Sequence, residues 1–198
     1  MKLVAISQRV DEVAAYHERR DSLDQRWSQL LWQCEAIPLL LPNAPNSAIA
    51  LVQQLKPAAV IFTGGNSLSI YQGDAPERDL TEKRLLAHCI TEGIPLLGVC
   101  RGMQLIQDHF GQPLQQIEGH VATRCALRFD GQLRDVNSYH NLGCRQNNTP
   151  LQVTALAHDG VIKAIRHPTL AIQGIMWHPE RESKYHPADI ELIKGLIH

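Results

Sequence analysis

A cysteine stands where an apolar run turns directly into an amphipathic one, within the stretch from Leu96 to Ile106. Glycines lie two residues before and two residues after Cys100, in the pattern Gly-x-Cys-x-Gly. A sharp strand-to-helix turn needs such glycines because a Cβ there would clash, and the turn raises the central side chain to the edge of a sheet. The helix N-terminus also favours a thiolate. The spacing predicts a cysteine nucleophile; a tight turn around a buried cysteine is the alternative for this motif alone.

A histidine and a glutamate, His178 and Glu180, follow another apolar run and are separated only by Pro179. The proline restricts the backbone, so the two side chains leave the strand end in a fixed relation. A carboxylate at this distance can orient an imidazole and support its protonated form. A surface pair is the alternative, and a metal site is rejected because no third ligand recurs at a suitable spacing. With Cys100, the pair predicts a Cys–His–Glu catalytic triad.

A thiolate that attacks a carbonyl also requires donors for the oxygen that becomes negative. The backbone N–H of Arg101, directly after the cysteine, is one expected donor. Gly64 and Gly65 follow a third apolar run, and the N–H of Gly65 is the second expected donor. Glycine at these positions lets the backbone approach a substrate carbonyl closely.

Short apolar runs alternate with amphipathic stretches through the first half of the chain, which predicts parallel strands covered by helices on both faces. The predicted strands cover residues 3–6, 37–41, 58–62 and 95–99, and the predicted helices 21–34, 48–55 and 78–91. After Gly111, alternating segments predict antiparallel strands at 126–129, 133–136, 153–156, 162–165 and 171–176, with a closing helix at 188–197. Asp130-Gly131 and Asp159-Gly160 predict hairpin turns. We predict one α/β domain over residues 1–198.

Composition narrows the class of protein. The chain of 198 residues has a formal net charge of −1, so no overall field recruits nucleic acid or an anionic membrane. No apolar run approaches the roughly 18 residues of a membrane span, and residues 1–6 are too short for a signal peptide. A cytoplasmic location is therefore expected. Five cysteines without a CxxC pair predict neither a disulfide framework nor a zinc site, and Cys34 and Cys89 are expected to be buried packing residues.

Several ordered motifs resemble class I glutamine amidotransferases and, more narrowly, their γ-glutamyl hydrolase branch. The likeness extends over almost the whole chain and implies a flavodoxin-like three-layer sandwich with a mostly parallel central sheet and antiparallel C-terminal strands. The residues that carry it are Gly98-Val99-Cys100-Arg101-Gly102-Met103-Gln104, Trp177-His178-Pro179-Glu180, Thr63-Gly64-Gly65, Arg78-Asp79 with Glu82 and Leu85-Leu86, Val136-Asn137-Ser138-Tyr139-His140, and Ala157-His158-Asp159-Gly160.

The resemblance implies cleavage of a γ-glutamyl amide through a cysteine thioester, with no cofactor. It also implies that Gly64, Gln104 and the segment Ser138-Tyr139-His140 bind the γ-glutamyl moiety of a small-molecule substrate. The chain departs from the branch at Asn141, where the branch often continues His-Gln, and at Asn66-Ser67, where an acidic residue is common. Both departures flank the expected pocket, so they bear on the substrate rather than on the chemistry.

The leaving group is suggested by arginines near the first strand. Arg9, with Arg19 and Arg20 further on, is suited to bind phosphate, although a self-paired charged face is the alternative. The segments Ile6-Ser7-Gln8-Arg9, Asn137-Ser138-Tyr139-His140-Asn141 and Met176-Trp177-His178 resemble γ-glutamyl-CDP-amidate hydrolases, which serve the synthesis of bacterial surface polysaccharides. A stand-alone hydrolase is therefore expected. The alternatives are a glutaminase subunit with a synthase partner, a non-enzymatic relative, and a peptidase or esterase.

Overall fold

A seven-stranded sheet forms the centre of the molecule in a computed structural model that describes residues 1–198. Across the sheet, the order is β11 (Gln152–Leu156), β12 (Ile162–Arg166), β13 (Ile172–Ile175), β6 (Leu96–Val99), β5 (Ala59–Phe62), β1 (Lys2–Ile6) and β4 (Ala36–Leu40). The five strands from β13 to β4 in this order pair in parallel, and β12 pairs antiparallel with both of its neighbours. The predicted α/β sandwich with antiparallel C-terminal strands is confirmed.

Helices cover both faces of this sheet. They are α1 (Arg26–Gln33), α2 (Pro45–Leu55), α3 (Pro76–Glu92), α4 (Arg101–His109) and α5 (Pro187–Ile197). Because successive strand residues point to opposite faces, Val4 and Ile6 pack with α1 and α5, whereas Ala5 packs on the other face with α2, α3 and α4. None of the helices is long and apolar enough to cross a membrane.

Three small two-stranded sheets lie outside the central sheet. They are β2 (Arg9–Val13) with β3 (Glu18–Ser22), β7 (Gln115–Gln116) with β10 (Leu142–Gly143), and β8 (Thr123–Phe129) with β9 (Gln132–Ser138). The β8–β9 turn contains Asp130 and Gly131, whose φ angles of 48° and 77° are both positive. Positive φ at both central positions defines the type I′ hairpin turn, so the prediction from Asp-Gly is confirmed.

The helix predicted over residues 21–34 is wrong at its start. Residues Glu18–Ser22 form β3, which pairs antiparallel with β2, and α1 begins only at Arg26. The β2–β3 hairpin is largely exposed, and its register sets Glu12 opposite Arg19. Opposite charges across strands stabilise such a pair without any hydrophobic period, so the pattern gave no signal.

The second helix, in contrast, begins earlier than predicted. Helix α2 starts at Pro45, with Ala44 as its N-cap residue, and not after the Asn46-Ser47 signal. Proline fits the first helical position because its missing N–H would be unpaired there anyway.

Candidate active site

Cys100 occupies a strained turn between β6 and α4. Its φ and ψ of 53° and −105° are unusual for a residue with a side chain, and its N–H donates to the Ile175 carbonyl at 2.8 Å. The flanking glycines are required by close backbone contacts. A Cβ on Gly98 would lie 2.5 Å from the carbonyl carbon of Gly102, and one on Gly102 would lie 2.4 Å from the Phe62 carbonyl oxygen. The predicted elbow is therefore present.

His178 follows β13, which lies beside β6 in the sheet, so the imidazole and the cysteine emerge at the same sheet edge. Its Nδ1 lies 2.8 Å from Oε1 of Glu180, and both side chains are almost wholly buried. The structure thus places Cys100, His178 and Glu180, the three residues of the predicted triad, together at this edge of the sheet.

Asn137 holds the backbone of His178 from both sides, a role that the motifs did not reveal. Its Oδ1 accepts from the His178 N–H at 2.9 Å, and its Nδ2 donates to the His178 carbonyl at 2.8 Å. Asn137 lies near the end of β9 and is buried. Both ends of its amide are therefore engaged in fixing where His178 sits.

The electrostatics of the pair favour a thiolate beside an imidazolium. Burial acts to raise the pKa of Cys100, but the charge and hydrogen bond of His178 outweigh it and lower that pKa. Burial acts to lower the pKa of His178, yet Cys100 and Glu180 raise it to about 9. Burial prevails in the other four cysteines and raises the pKa of each, to about 12 in the first two: Cys34, Cys89, Cys125 and Cys144. Only Cys100 is activated.

Gly64 and Gly65 follow β5 at the same edge. A Cβ on Gly64 would lie 2.4 Å from Cε1 of His178 and 3.4 Å from Cβ of Cys100, so this backbone lies against the pair. Gly65 has a φ of +84°. The N–H groups of Gly64, Gly65 and Asn66 donate no hydrogen bond within the protein, and the N–H of Arg101 lies near enough to the cysteine to lower the pKa of its thiol. These N–H groups are available to a developing oxyanion.

Two cavities meet at the Cys100–His178 pair. The Cys100 cavity, of about 140 Å³, is lined by Cys100 together with Gln104, Tyr139 and His140 among others. The Arg9 cavity, of about 280 Å³, is lined by Arg9, Asp11, Ser22, Leu23, Asp24 and Trp27 among others. Gly65, His178 and Arg181 line both. A scissile bond between them would have one half of the substrate in each cavity.

The Cys100 cavity contains three of the predicted substrate residues. Nε2 of Gln104 donates to the Leu142 carbonyl at 3.0 Å, and Tyr139 meets His178 edge to face with ring centroids 5.8 Å apart. Arg181, which sequence reasoning missed, places its guanidinium 4.7 Å from the Tyr139 ring centroid. No sequence pattern marks Arg181, because any role it has in binding depends only on its position between the two cavities.

His140, the third of these residues, rests on a buried cation. Nζ of Lys163 lies 2.6 Å from Nε2 of His140, whose Nδ1 faces the Leu142 carbonyl at 3.0 Å. Burial lowers the pKa of His140 to about 3 and that of Lys163 to about 8. His140 is therefore a neutral ring with its proton on Nδ1. Lys163, which alternates with apolar residues on β12, was not recognised from the sequence.

Ser138 does not reach the cavity. Its side chain is fully buried, donates to the His120 carbonyl at 2.9 Å and accepts from Lys163 at 2.9 Å. Ser138 is the last residue of β9, and Tyr139, which follows the strand, lines the cavity instead.

The three arginines of the β2–β3 hairpin have different surroundings. Arg9 lines its cavity and pairs through Nε with Asp11 at 2.7 Å. Arg19 contacts Glu77, and Arg20 contacts Glu18, both away from the cavity. Only Arg9 is therefore placed to meet a substrate. No group of three or more metal-ligating side chains occurs in the chain.

The chain matches known proteins over most of its length. The sequence model described as "Glutamine amidotransferase class-I" matches residues 20–195. The γ-glutamyl-CDP-amidate hydrolase of Campylobacter jejuni is 34% identical over 187 residues, which cover 91% of this chain and 90% of that protein. The glutamine-hydrolysing GMP synthase subunit of Pyrococcus furiosus is 27% identical over 160 residues, 76% of this chain and 80% of that protein. A putative GMP synthase subunit from Thermoplasma acidophilum shares the fold, with a TM-score of 0.73, 17% identity and coverage of 100% of this chain and 93% of that one.

Proposed function

Since this chain belongs to the class I glutamine amidotransferase family, a family of cysteine-dependent amidohydrolases, we propose that it hydrolyses a γ-glutamyl amide without a partner protein. The predicted family resemblance and the prediction of an enzyme are confirmed by that membership. The single observation that carries the proposal is the activation of Cys100, the one cysteine of five whose pKa is lowered, beside an imidazole held by Glu180.

Catalysis begins when the Cys100 thiolate attacks the γ-carbonyl carbon and a C–S bond forms. The oxygen becomes negative and accepts from the N–H groups of Gly65 and Arg101. The His178 imidazolium donates its proton to the leaving nitrogen, and the C–N bond breaks. His178 then takes a proton from water, which hydrolyses the thioester and releases glutamate. Glu180 keeps the imidazole in orientation throughout.

The two cavities divide the substrate. The γ-glutamyl moiety lies in the Cys100 cavity, where Gln104, Tyr139 and the neutral His140 offer polar contacts to its amino and carboxylate groups. The leaving group lies in the Arg9 cavity. Arg9 uses only Nε for its hydrogen bond to Asp11. The guanidinium of Arg181 donates no hydrogen bond within the protein, although its Nε lies 3.6 Å from Oε1 of Glu180, so both arginines have Nη donors to spare.

Free guanidinium donors on two sides of a cavity suit an anionic leaving group, since the planar fork matches phosphate. The relative from Campylobacter jejuni carries a nucleotide-linked substrate in its name. We therefore extend the proposal to a γ-glutamyl amide whose nitrogen bears a phosphate or nucleotide. The predicted role in surface polysaccharide synthesis and the predicted cytoplasmic location are parts of the same proposal.

The reaction is tested by incubating the purified chain with glutamine, simple γ-glutamyl amines and γ-glutamyl phosphoramidates, and by measuring released glutamate. Cys100→Ala is expected to abolish turnover, and Cys89→Ala, a matched change at a buried cysteine outside the site, is expected to retain it. Rapid turnover of substituted amides and slow turnover of glutamine support the proposal. Turnover of none of them contradicts it.

The leaving-group assignment has its own test. Arg9→Ala is expected to raise KM for a γ-glutamyl nucleotide amide about tenfold, roughly 1.4 kcal/mol, while KM for glutamine stays the same. Arg20→Ala is the matched control, because Arg20 is exposed and pairs with Glu18 outside the cavity. Equal effects of the two changes would exclude a role for Arg9 in substrate recognition.

A glutaminase that delivers ammonia to a separate synthase is the second candidate. It is favoured by the likeness to the GMP synthase subunit of Pyrococcus furiosus and, over 96 residues at 38% identity, to component 2 of an anthranilate synthase from Methanothermobacter thermautotrophicus. This candidate requires weak glutamine turnover alone and a strong increase with the partner. Co-purification from the native cell, followed by assay of the complex, separates it from the first.

A further inference from the structure

A buried arginine of α3 holds the loop that follows β5. Arg78 and Glu82 have no exposed surface. Nη1 of Arg78 donates to the carbonyls of Gly64 at 3.1 Å and Gly65 at 2.5 Å, and Nη2 donates to the carbonyl of Thr63 at 2.7 Å. One guanidinium therefore binds three successive carbonyl oxygens.

The direction of those carbonyls determines the direction of the next N–H groups. In a trans peptide the C=O of one residue and the N–H of the next point in opposite directions, and the chain has no cis bond. The N–H groups of Gly64, Gly65 and Asn66 therefore point away from Arg78. These are the groups that donate no hydrogen bond within the protein. A row of such N–H groups forms an anion-binding concavity.

The same cluster reaches the other expected oxyanion donor. Arg101, the first residue of α4, extends its buried guanidinium onto Asp79 and Glu82. Glu82 also accepts from Nε of Arg78 at 3.0 Å. Two arginines and two carboxylates of balanced charge thus connect the loop after β5 with the first residue of α4.

We propose that Arg78 is a positioning residue that, through Glu82 and Arg101, fixes both halves of the oxyanion hole before any substrate or partner binds. The inference rests on the proposed function, since an oxyanion hole has meaning only for attack on a carbonyl. It agrees with the proposed hydrolysis without a synthase, because a hole that is already formed requires no activating contact. Lysine cannot replace Arg78, since one ammonium does not present a planar fork to three carbonyls.

Two reactions of Cys100 separate this role from general support of the fold. Acylation by p-nitrophenyl acetate passes through an oxyanion and releases p-nitrophenolate, whereas alkylation by iodoacetamide displaces iodide without one. Arg78→Lys is expected to slow acylation about 100-fold, the effect of losing one oxyanion donor, and to change alkylation less than about threefold. Arg84→Lys, on the exposed side of the same helix, is expected to change neither.

Glu82→Gln is the second variant, which keeps the shape but removes the charge shared by the two arginines. It is expected to give the same selective loss and stands in if Arg78→Lys does not fold. With γ-glutamyl p-nitroanilide the loss must appear in kcat, with KM nearly unchanged. An equal loss in acylation and alkylation, or no loss in either, overturns the proposal. Acylation of the wild-type chain by p-nitrophenyl acetate but by no γ-glutamyl amide would instead refute the proposed function and leave the positioning role standing.

Discussion

Replacing Gly64 by alanine adds one methyl group at the point where the loop after β5 meets the Cys100–His178 pair. The new Cβ would lie 2.4 Å from Cε1 and 3.3 Å from Nε2 of His178, and 3.4 Å from Cβ of Cys100. Gly64 is not among the positive-φ glycines, so alanine suits its backbone and the effect is steric. The imidazole has little freedom to yield, because Glu180 holds its Nδ1 and Asn137 holds its backbone.

The size of the displacement follows from the contact distance. Carbon atoms in contact lie about 3.5 Å apart, so the ring and the loop must separate by roughly 1 Å. A misplacement of that size costs about 100-fold in rate, which is about 2.7 kcal/mol in the barrier. Gly64→Ala is therefore expected to lower kcat/KM for γ-glutamyl p-nitroanilide about 100-fold, mainly through kcat.

The assay pairs this rate with the reactivity of the thiol. Moving the imidazole away raises the pKa of Cys100, so alkylation by iodoacetamide at pH 7 must also slow. Gly195→Ala is the matched control: Gly195 lies exposed in α5, a Cβ there meets nothing within 4 Å, and alanine favours a helix. Wild-type kcat/KM and wild-type alkylation in Gly64→Ala would refute the reasoning that Gly64 spaces the loop from His178.

Three further predictions concern the charges and contacts around the pair. The pKa of Cys100 is lowered and that of His178 is raised to about 9. We therefore expect kcat/KM to stay high through neutral pH and to fall as pH rises through about 9, where the imidazolium loses the proton that it must donate. A loss of kcat/KM as pH rises through about 6.5 would contradict this expectation. Asn137→Ala leaves the buried N–H of His178 unpaired and removes one of the two hydrogen bonds to its carbonyl, which keeps the one from the Arg181 N–H. It is expected to lower the free energy of unfolding by about 1 to 3 kcal/mol in urea, with loss of kcat; full activity would show that the clamp is dispensable. Asp189→Ala removes the carboxylate whose Oδ2 lies 2.6 Å from Nη2 of Arg134 and so leaves that buried guanidinium unpaired. It is expected to lower the free energy of unfolding by about 3 to 5 kcal/mol, measured by thermal unfolding, whereas alkylation of Cys100 in the folded protein is expected to be unchanged.

Reactivity in this chain is a matter of surroundings rather than of residue type. All five cysteines are free and buried, and burial alone raises a thiol pKa. Cys100 differs because the turn after β6 delivers it to an imidazole and to the first N–H of a helix. A labelling experiment at neutral pH is therefore expected to modify one cysteine.

The sequence by itself was sufficient for the parts of the site that depend on neighbours along the chain. Glycines around Cys100 and at Gly64 and Gly65 report close backbone contacts, and the spacing of His178 and Glu180 sets their contact across one proline. Four apolar runs in the first half of the chain predicted a parallel sheet whose strand ends meet at one edge, and two of them, 58–62 and 95–99, lead directly into these motifs. Each inference needed only local geometry and the direction of parallel strands.

Tertiary structure decided what depends on residues distant in sequence. Asn137 reaches His178 across 41 positions, and Lys163 reaches His140 across 23, without any local pattern that marks them. The β2–β3 hairpin rests on charge pairs across strands, which leave no hydrophobic period to detect. Ser138 lies away from the cavity because its side chain points into the protein, where it contacts His120 and Lys163. Such contacts depend on how whole helices and strands pack together, because the interaction energy of a side chain is set by the groups that the fold places beside it and not by its residue type alone.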